Sequence, residues 1–86
     1  MKRQSLAKDD IYYTIGSDSM LDSTGIERKY AWSFNEEEQS YFLILINPQG
    51  ERMVHRHSTN GQDWRPKPFK TLDELHTDFK IFCEEL

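Results

Sequence analysis

The sequence predicts a small α+β domain, in which an antiparallel β-meander of about four to five strands carries one C-terminal amphipathic helix on one face. Three observations support this fold class. Residues 26–34 alternate between apolar and polar side chains, residues 40–46 form an apolar run, and residues 71–86 repeat apolar side chains at helical spacing. We expect one domain over residues 1–86, because chains of this length bury only about 60% of their unfolded surface and cannot support two cores.

The first part of the chain has two interpretations. We expect residues 1–9 to be a disordered N-terminus. Residues 5–15 read either as a strand, from the alternation in "DIYYTI", or as a short helix that Ser5 caps and Gly16 ends. The strand is the favoured alternative, and residues 17–25, "SDSMLDSTG", are then predicted to be a long loop.

The segment "IERKYAWSF" at 26–34 predicts a strand with an aromatic face. Its alternation places five residues on that face, namely Ile26, Arg28, Tyr30, Trp32 and Phe34. Two roles remain open for the aromatic members. They are core residues if the helix covers this face, and stacking platforms for single-stranded nucleic acid if it does not.

The central part of the chain predicts two hairpins. "SYFLILI" at 40–46 is apolar on both faces, as a strand covered on both sides would be. "NPQG" at 47–50 has the composition of a turn into the next strand. Asn60-Gly61 is the preferred pair for a two-residue type I′ turn, which would fold residues 62–65 back along residues 54–58.

The C-terminal helix has the strongest local signals. Pro66 and Pro68 predict an extended connector over "RPKPFK". Thr71 and Glu74 then form the S/T-x-x-E capping box, and Asp73 adds negative charge at the positive end of the helix dipole. Apolar side chains recur at three- and four-residue steps, at Leu72, Leu75, Phe79, Phe82 and Leu86. These features predict a helix over residues 71–86.

The charge of the chain is small overall and unevenly distributed. The net charge is −4, which argues against proteins whose binding to nucleic acid or to membrane surfaces depends on a large basic excess. Residues 52–70 carry five cationic side chains and one acidic one, whereas residues 71–86 carry one cationic side chain and five acidic ones. Such segregation suits a protein partner or self-association.

The beginning of the chain and its single cysteine bear on the compartment. Asp9 and Asp10 stand where a signal peptide would need an apolar run, and no stretch approaches the roughly 20 apolar residues of a membrane span. Cys83 is the only cysteine, so the chain cannot form an internal disulfide. These features predict a cytoplasmic protein with no membrane association.

A metal site is permitted by geometry but weakly indicated. Two histidines two positions apart on a strand, His55 and His57, lie roughly 7 Å apart on one face. His76 and Cys83 could complete a zinc site from one stripe of the helix. The sequence has neither Cys-x-x-Cys nor His-x-x-x-His, and ordinary half-exposed histidines with a buried cysteine are the favoured interpretation.

Catalytic motifs are lacking in the sequence. It contains no Gly-x-Ser-x-Gly elbow, no phosphate-binding glycine-rich loop and no Walker motif. Its carboxylates cluster only in "NEEEQ" and at Asp9-Asp10, which are typical of solvated turns. We therefore expect a protein that is not an enzyme and needs no cofactor.

The remaining hypothesis is a small protein-binding module, homodimeric in one version, that acts as an accessory, adaptor or inhibitor. Tryptophan and arginine are the residues that dominate binding energy at interfaces, and Trp64 and Arg65 are adjacent. The predicted partner-binding residues are Arg52, Arg56, Trp64, Arg65, Lys67 and Lys70. The alternative is a nucleic-acid-binding protein that uses the basic stretch 52–70, and a zinc-binding domain ranks third.

Overall fold

The computed structural model describes residues 12–86. The expected disorder of residues 1–9, and most of the ambiguous segment 5–15, lie outside the described residues. Within residues 12–86 there are seven strands and one helix, which are β1 (Gly16–Leu21), β2 (Glu27–Asn35), β3 (Ser40–Ile46), β4 (Arg52–Val54), β5 (Arg56–His57), β6 (Arg65–Pro66), β7 (Pro68–Phe69) and α1 (Leu72–Glu84).

The predicted α+β class is confirmed. β1, β2, β3 and β4 form an antiparallel sheet in chain order, and β7 also pairs with β3. β4 and β7 share one edge of β3, where Ile44 pairs with Val54 and Tyr41 pairs with Phe69. β5 and β6 form a separate two-stranded ribbon. Nothing helical within residues 12–86 is long and apolar enough to cross a membrane.

The helix covers the aromatic face of the sheet, which decides between the two roles left open for that face. Tyr30 is only 1% exposed, and its ring stacks on Phe79 of α1 at a centroid distance of 4.0 Å. Trp32 packs against the same cluster, and Phe34 is half-buried against Tyr41. The buried cluster consists of Tyr30, Leu43, Phe69, Leu75, Phe79 and Cys83. Tyr30 is therefore a core residue and cannot act as a stacking platform.

The opposite face of the sheet is also buried at its centre. Phe42, Ile44 and Val54 are each at most 2% exposed, so β3 is covered on both sides as its apolar run predicts. The ring of Tyr12 contacts Phe42 edge-on at 5.1 Å. This face also holds a buried hydroxyl, Ser33 Oγ, which has no hydrogen-bond partner in the described part of the chain.

The predicted start of the helix is confirmed. The Thr71 side chain accepts a hydrogen bond from the Glu74 amide at 3.2 Å, and the Glu74 carboxylate accepts from the Thr71 amide at 3.3 Å. The helix ends at Glu84, and Leu86 lies beyond it with 46% of its surface exposed. The apolar stripe therefore contributes Leu75, Phe79 and Cys83 to the core, but not Leu86.

The prediction of a loop over residues 17–25 was wrong, because most of that segment is the edge strand β1. Gly16–Leu21 pairs with β2 over six residues, and residues 12–15 are not in a strand. A segment as polar as "GSDSML" has weak strand propensity, and pairing with the strongly patterned β2 overrides it. Gly16 faces Trp32, and a Cβ at Gly16 would lie 2.5 Å from the indole ring.

The turn between β1 and β2 is organised by a buried carboxylate. Asp22 accepts hydrogen bonds from the Thr24 hydroxyl at 2.5 Å, the Arg28 Nε at 2.8 Å and the amides of Thr24 and Ile26. The Thr24 hydroxyl, and then Arg28, hold the pKa of Asp22 well below its usual range. The neighbouring Ser23 amide donates to the Cys83 carbonyl at 3.2 Å. The first hairpin is thereby attached to the last turn of the helix.

Candidate protein-interaction site

The candidate site is the hairpin β5–β6, which leaves the main sheet after β4. The His55 amide donates to the Leu43 carbonyl at 2.7 Å, and the His55 carbonyl accepts from the Lys67 amide at 3.1 Å. Beyond this point His57 pairs with Arg65, and the two strands have no partner on the main sheet. The hairpin therefore projects from the sheet edge on a hydrogen-bonded base. We call residues 56–66 the projecting hairpin.

The tip of the projecting hairpin is not the predicted type I′ turn. That turn needs a positive φ at both central residues, whereas Gly61 has a φ of 77° and Asn60 is not among the residues with positive φ. The connection is instead a longer loop, 58–64, and only Arg56–His57 pairs with Arg65–Pro66. The Asn60 side chain accepts hydrogen bonds from the amides of Gln62 at 2.8 Å and Asp63 at 2.9 Å. The asparagine acts through its side chain, as asparagines commonly do in turns.

Trp64 and Arg65 are both exposed where the loop enters β6. Trp64 has 62% of its surface exposed, which is high for the largest apolar side chain in the sequence. The Arg65 guanidinium makes no hydrogen bond or ion pair within residues 12–86, although its backbone pairs with His57. The projecting hairpin thus exposes an aromatic side chain and, next to it in the chain, a cation whose side chain has no partner within residues 12–86.

An open depression lies beside Arg65. Its volume is about 420 Å³, and its lining consists of His57, Thr59, Asn60, Asp63, Arg65, Pro66 and Pro68. His57 and Arg65 form a cross-strand pair, so their side chains project on the same side of the ribbon. The depression therefore combines two proline rings with polar and cationic groups.

The other predicted partner-binding residues are dispersed over the molecule. The Arg52 guanidinium donates to Thr14 Oγ1, and Arg52 shares a face of β4 with buried Val54. Lys67 forms an ion pair with Asp78 of α1 at 3.2 Å, with its ammonium 5.3 Å from the Phe69 ring centroid. Lys70 is exposed just before the helix cap, and Arg56 is half-buried in β5. Of the six predicted residues, Trp64 and Arg65 are adjacent in the chain, where the loop enters β6.

The four candidate metal ligands occupy different environments. His57 lines the depression, whereas His55 Nε2 lies 3.4 Å from an Asp78 carboxylate oxygen. His76 Nδ1 is hydrogen-bonded to the Tyr30 hydroxyl at 2.9 Å, and burial raises the pKa of the Cys83 thiol. Within residues 12–86, no group of three or more histidine, cysteine or acidic residues is placed to hold a metal ion.

The sequence did not reveal the group that fixes the base of the projecting hairpin. Asp78 on the helix contacts both His55 and Lys67, which flank the hairpin on either side. Burial lowers the pKa of His55, an effect that the nearby Asp78 carboxylate partly opposes. No local signal could have indicated this contact, because the three residues lie far apart along the chain and meet only in the folded sheet.

The projecting hairpin offers recognition groups in a preformed arrangement. A guanidinium and an imidazole line a shallow depression, and the exposed indole of Trp64 precedes the guanidinium in the chain, at the end of a loop that Asn60 holds in shape. Aromatic and guanidinium groups of this kind are enriched in the contacts that dominate protein–protein binding. Comparison of the chain with known proteins finds no matching family model, no matching curated protein and no matching solved structure.

Proposed function

We propose that this protein is a small, cytoplasmic, non-enzymatic protein-binding module that acts as an accessory, adaptor or inhibitor through its projecting hairpin. The observation that carries the proposal is the exposed Trp64 followed by Arg65, whose guanidinium has no partner within residues 12–86. Exposure of a tryptophan leaves a large apolar surface in water. A partner that covers this side chain would recover that free energy on binding.

The structure of the loop favours binding without a large ordering cost. Two amides of the loop, those of Gln62 and Asp63, are already bonded to Asn60. The Asn60 amide group also donates to the Asp63 carboxylate at 3.0 Å. A loop that is ordered before binding loses less conformational entropy when a partner arrives, and this saving appears as affinity.

A protein partner is favoured over nucleic acid by the distribution of the cations. A phosphate backbone is bound by several cations that follow one groove, and each contact contributes to the salt dependence of binding. Here Lys67 is paired with Asp78, and Arg52 bonds to Thr14 beside the main sheet. The Arg65 guanidinium has no such partner within residues 12–86, and Arg65 follows Trp64 in the chain. One cation beside a tryptophan suits a protein surface better than a nucleic-acid groove.

The test is capture of the partner from a nuclease-treated lysate of the native host, with mass spectrometry to identify it. The test variant is Trp64→Ala/Arg65→Ala. The matched control is Met53→Ala/Lys29→Ala, which removes one exposed apolar side chain and one exposed cation from the main sheet. We expect the wild-type protein and the control to retain one specific partner and the test variant to lose it, with unchanged circular dichroism for all three.

The same capture separates the competing functions. A partner retained equally by the test variant would remove the hairpin tip from the proposal. Capture that depends on nucleic acid would instead support the basic stretch as a nucleic-acid site. Self-association is measured in parallel by analytical ultracentrifugation of the purified protein, where a dimer lost only in the test variant would identify a second copy as the partner.

A further inference from the structure

We propose that the partner contacts the projecting hairpin with an extended acidic segment, of which one carboxylate enters the depression beside Arg65 and His57. This inference rests on the proposed function and names the chemistry of the partner. It follows from the groups that line the depression and from those that are placed elsewhere in the fold.

The donors of the depression come from one cross-strand pair. Arg65 and His57 lie opposite each other on β6 and β5, and both side chains line the depression. A guanidinium carries five N–H donors and no acceptor, and its planar fork matches the two oxygens of a carboxylate. The Arg65 guanidinium has no carboxylate partner within residues 12–86. A carboxylate of another molecule can therefore bind it without displacing a partner within those residues.

Asp63 is the acidic residue in the lining, and its carboxylate is engaged by the loop. Asp63 Oδ2 accepts a hydrogen bond from Asn60 Nδ2 at 3.0 Å, and Asp63 forms no ion pair with Arg65. A hydrogen bond to the Asn60 amide fixes the carboxylate without neutralising its charge. Asp63 should therefore weaken the binding of an incoming carboxylate, which gives the proposal a second and oppositely signed test.

The shape of the site favours an extended segment with apolar residues beside the acidic one. Pro66 and Pro68 contribute rings to the lining, and exposed Trp64 precedes Arg65 in the chain. Successive side chains of an extended peptide point to opposite sides. A peptide with its carboxylate at Arg65 can thus place a flanking apolar side chain against a proline ring of the depression.

The experiment uses a phage-displayed library of random twelve-residue peptides, panned on the wild-type protein. We expect the enriched sequences to share Asp or Glu next to an apolar residue. The strongest clone is then synthesised with a fluorophore, together with a version in which the shared acidic residue is changed to its amide. Fluorescence anisotropy measures both peptides against each protein variant, at low salt and at physiological salt.

Three substitutions give the decisive comparisons. Arg65→Glu should lower the affinity for the acidic peptide by about tenfold or more. The wild-type protein should bind the amide version of the peptide about as weakly. Asp63→Asn should raise the affinity for the acidic peptide about two- to threefold, because it removes one negative charge near the bound carboxylate. Lys29→Glu reverses an exposed charge on β2 and is the matched control, for which we expect unchanged affinity.

The outcomes decide the inference separately from the proposed function. The inference of an acidic segment would be overturned by any of three results. These are enriched peptides without a shared acidic residue, no enriched peptide at all, or an affinity of Arg65→Glu equal to that of the wild type. Tighter binding of a single-stranded twelve-nucleotide DNA than of the peptide, lost in Arg65→Glu, would overturn it in favour of phosphate. Loss of lysate capture in Trp64→Ala/Arg65→Ala would still support the hairpin as a protein-binding surface in any of these cases.

Discussion

The helix-covered core and the projecting hairpin are stabilised in different ways. In the core, six side chains from three strands of the main sheet and from the helix bury one another, and Tyr30 stacks on Phe79. In the hairpin, the strands pair over only two residues each, and hydrogen bonds to Asn60 shape the loop. The largest side chain of the hairpin, that of Trp64, is exposed to solvent.

This difference indicates a division of roles along the chain. Buried apolar area is the main source of folding free energy, so residues of the core should determine stability. Residues of the hairpin bury little and should affect binding more than stability. Substitutions in the two regions should therefore have separable effects on the free energy of unfolding and on binding.

The largest effect is expected from Phe79→Ala. Removal of a buried phenylalanine costs about 3–5 kcal/mol, which approaches the total stability of a small domain. Trp64→Ala, although it removes a larger side chain, should change the free energy of unfolding by about 0.5 kcal/mol or less, because that side chain is already exposed. Urea denaturation of both variants measures the contrast, and Phe79→Leu provides a milder core variant if Phe79→Ala does not fold. Equal losses of unfolding free energy for Phe79→Ala and Trp64→Ala would show that the core and the hairpin contribute alike to stability.

Gly16→Ala should cause the next largest loss of stability, lowering the free energy of unfolding by about 1–3 kcal/mol. The added methyl group would lie 2.5 Å from the Trp32 indole, which is itself held edge-on against His76 at 4.8 Å. The indole or the edge strand must then move. Ser17→Ala, on the exposed side of β1, is the control and should be nearly neutral. A stability of Gly16→Ala equal to that of the control would show that Trp32 is not fixed by the core.

Asn60→Ala should act locally. It removes the acceptor of the Gln62 and Asp63 amides, each bond being worth about 1 kcal/mol. We expect hydrogen exchange at these two amides to become about tenfold faster, while the midpoint of global unfolding is nearly unchanged. Thr59→Ala is the control in the same loop. A large fall in the global midpoint would mean that the hairpin and the core unfold as one unit.

The smallest effect is expected from His55→Gln, at the junction of the two regions. Burial lowers the pKa of His55 in the folded protein, so the unfolded chain binds more protons below the ordinary histidine value of about 6.5. The contribution of His55 to the free energy of unfolding is thus complete above that pH and is lost as the pH falls below it. Denaturation between pH 5 and pH 7 should show a shallower rise in stability with pH for His55→Gln than for the wild type. A slope for His55→Gln equal to that of the wild type would contradict the prediction.

Much of the fold was predictable because its signals are local. The capping box at Thr71 and Glu74 needs only neighbouring residues, and the alternation around Tyr30 and Trp32 defines a strand face without any knowledge of its partner. The turn at 47–50 forms as predicted, with the Gly50 amide donating to the Asn47 carbonyl at 2.8 Å. Each of these features is determined by chemistry within a few residues.

The errors arose where distant contacts or side-chain chemistry decide the structure. β1 is too polar to be recognised alone, and it exists because β2 provides a partner and Asp22 closes the turn. The loop at Asn60 differs from a type I′ turn because its side chain, rather than a left-handed backbone, satisfies the amides. Contacts of Asp78 with His55 and Lys67 join separate parts of the chain. In the candidate site, composition indicated Trp64 and Arg65, but the depression beside Arg65 depends on how the two strands of the hairpin and Pro68 are arranged.

The attachment of the helix to the sheet also constrains how the protein is made. Half of the buried cluster comes from Leu75, Phe79 and Cys83, and the Cys83 carbonyl receives the amide of Ser23 from the opposite part of the sequence. Contacts between such distant residues slow folding, because the chain must close a long loop before they form. During synthesis the aromatic face of the sheet stays open until residue 83 has emerged from the ribosome. The nascent sheet is therefore the state of this protein most exposed to aggregation and to capture by chaperones.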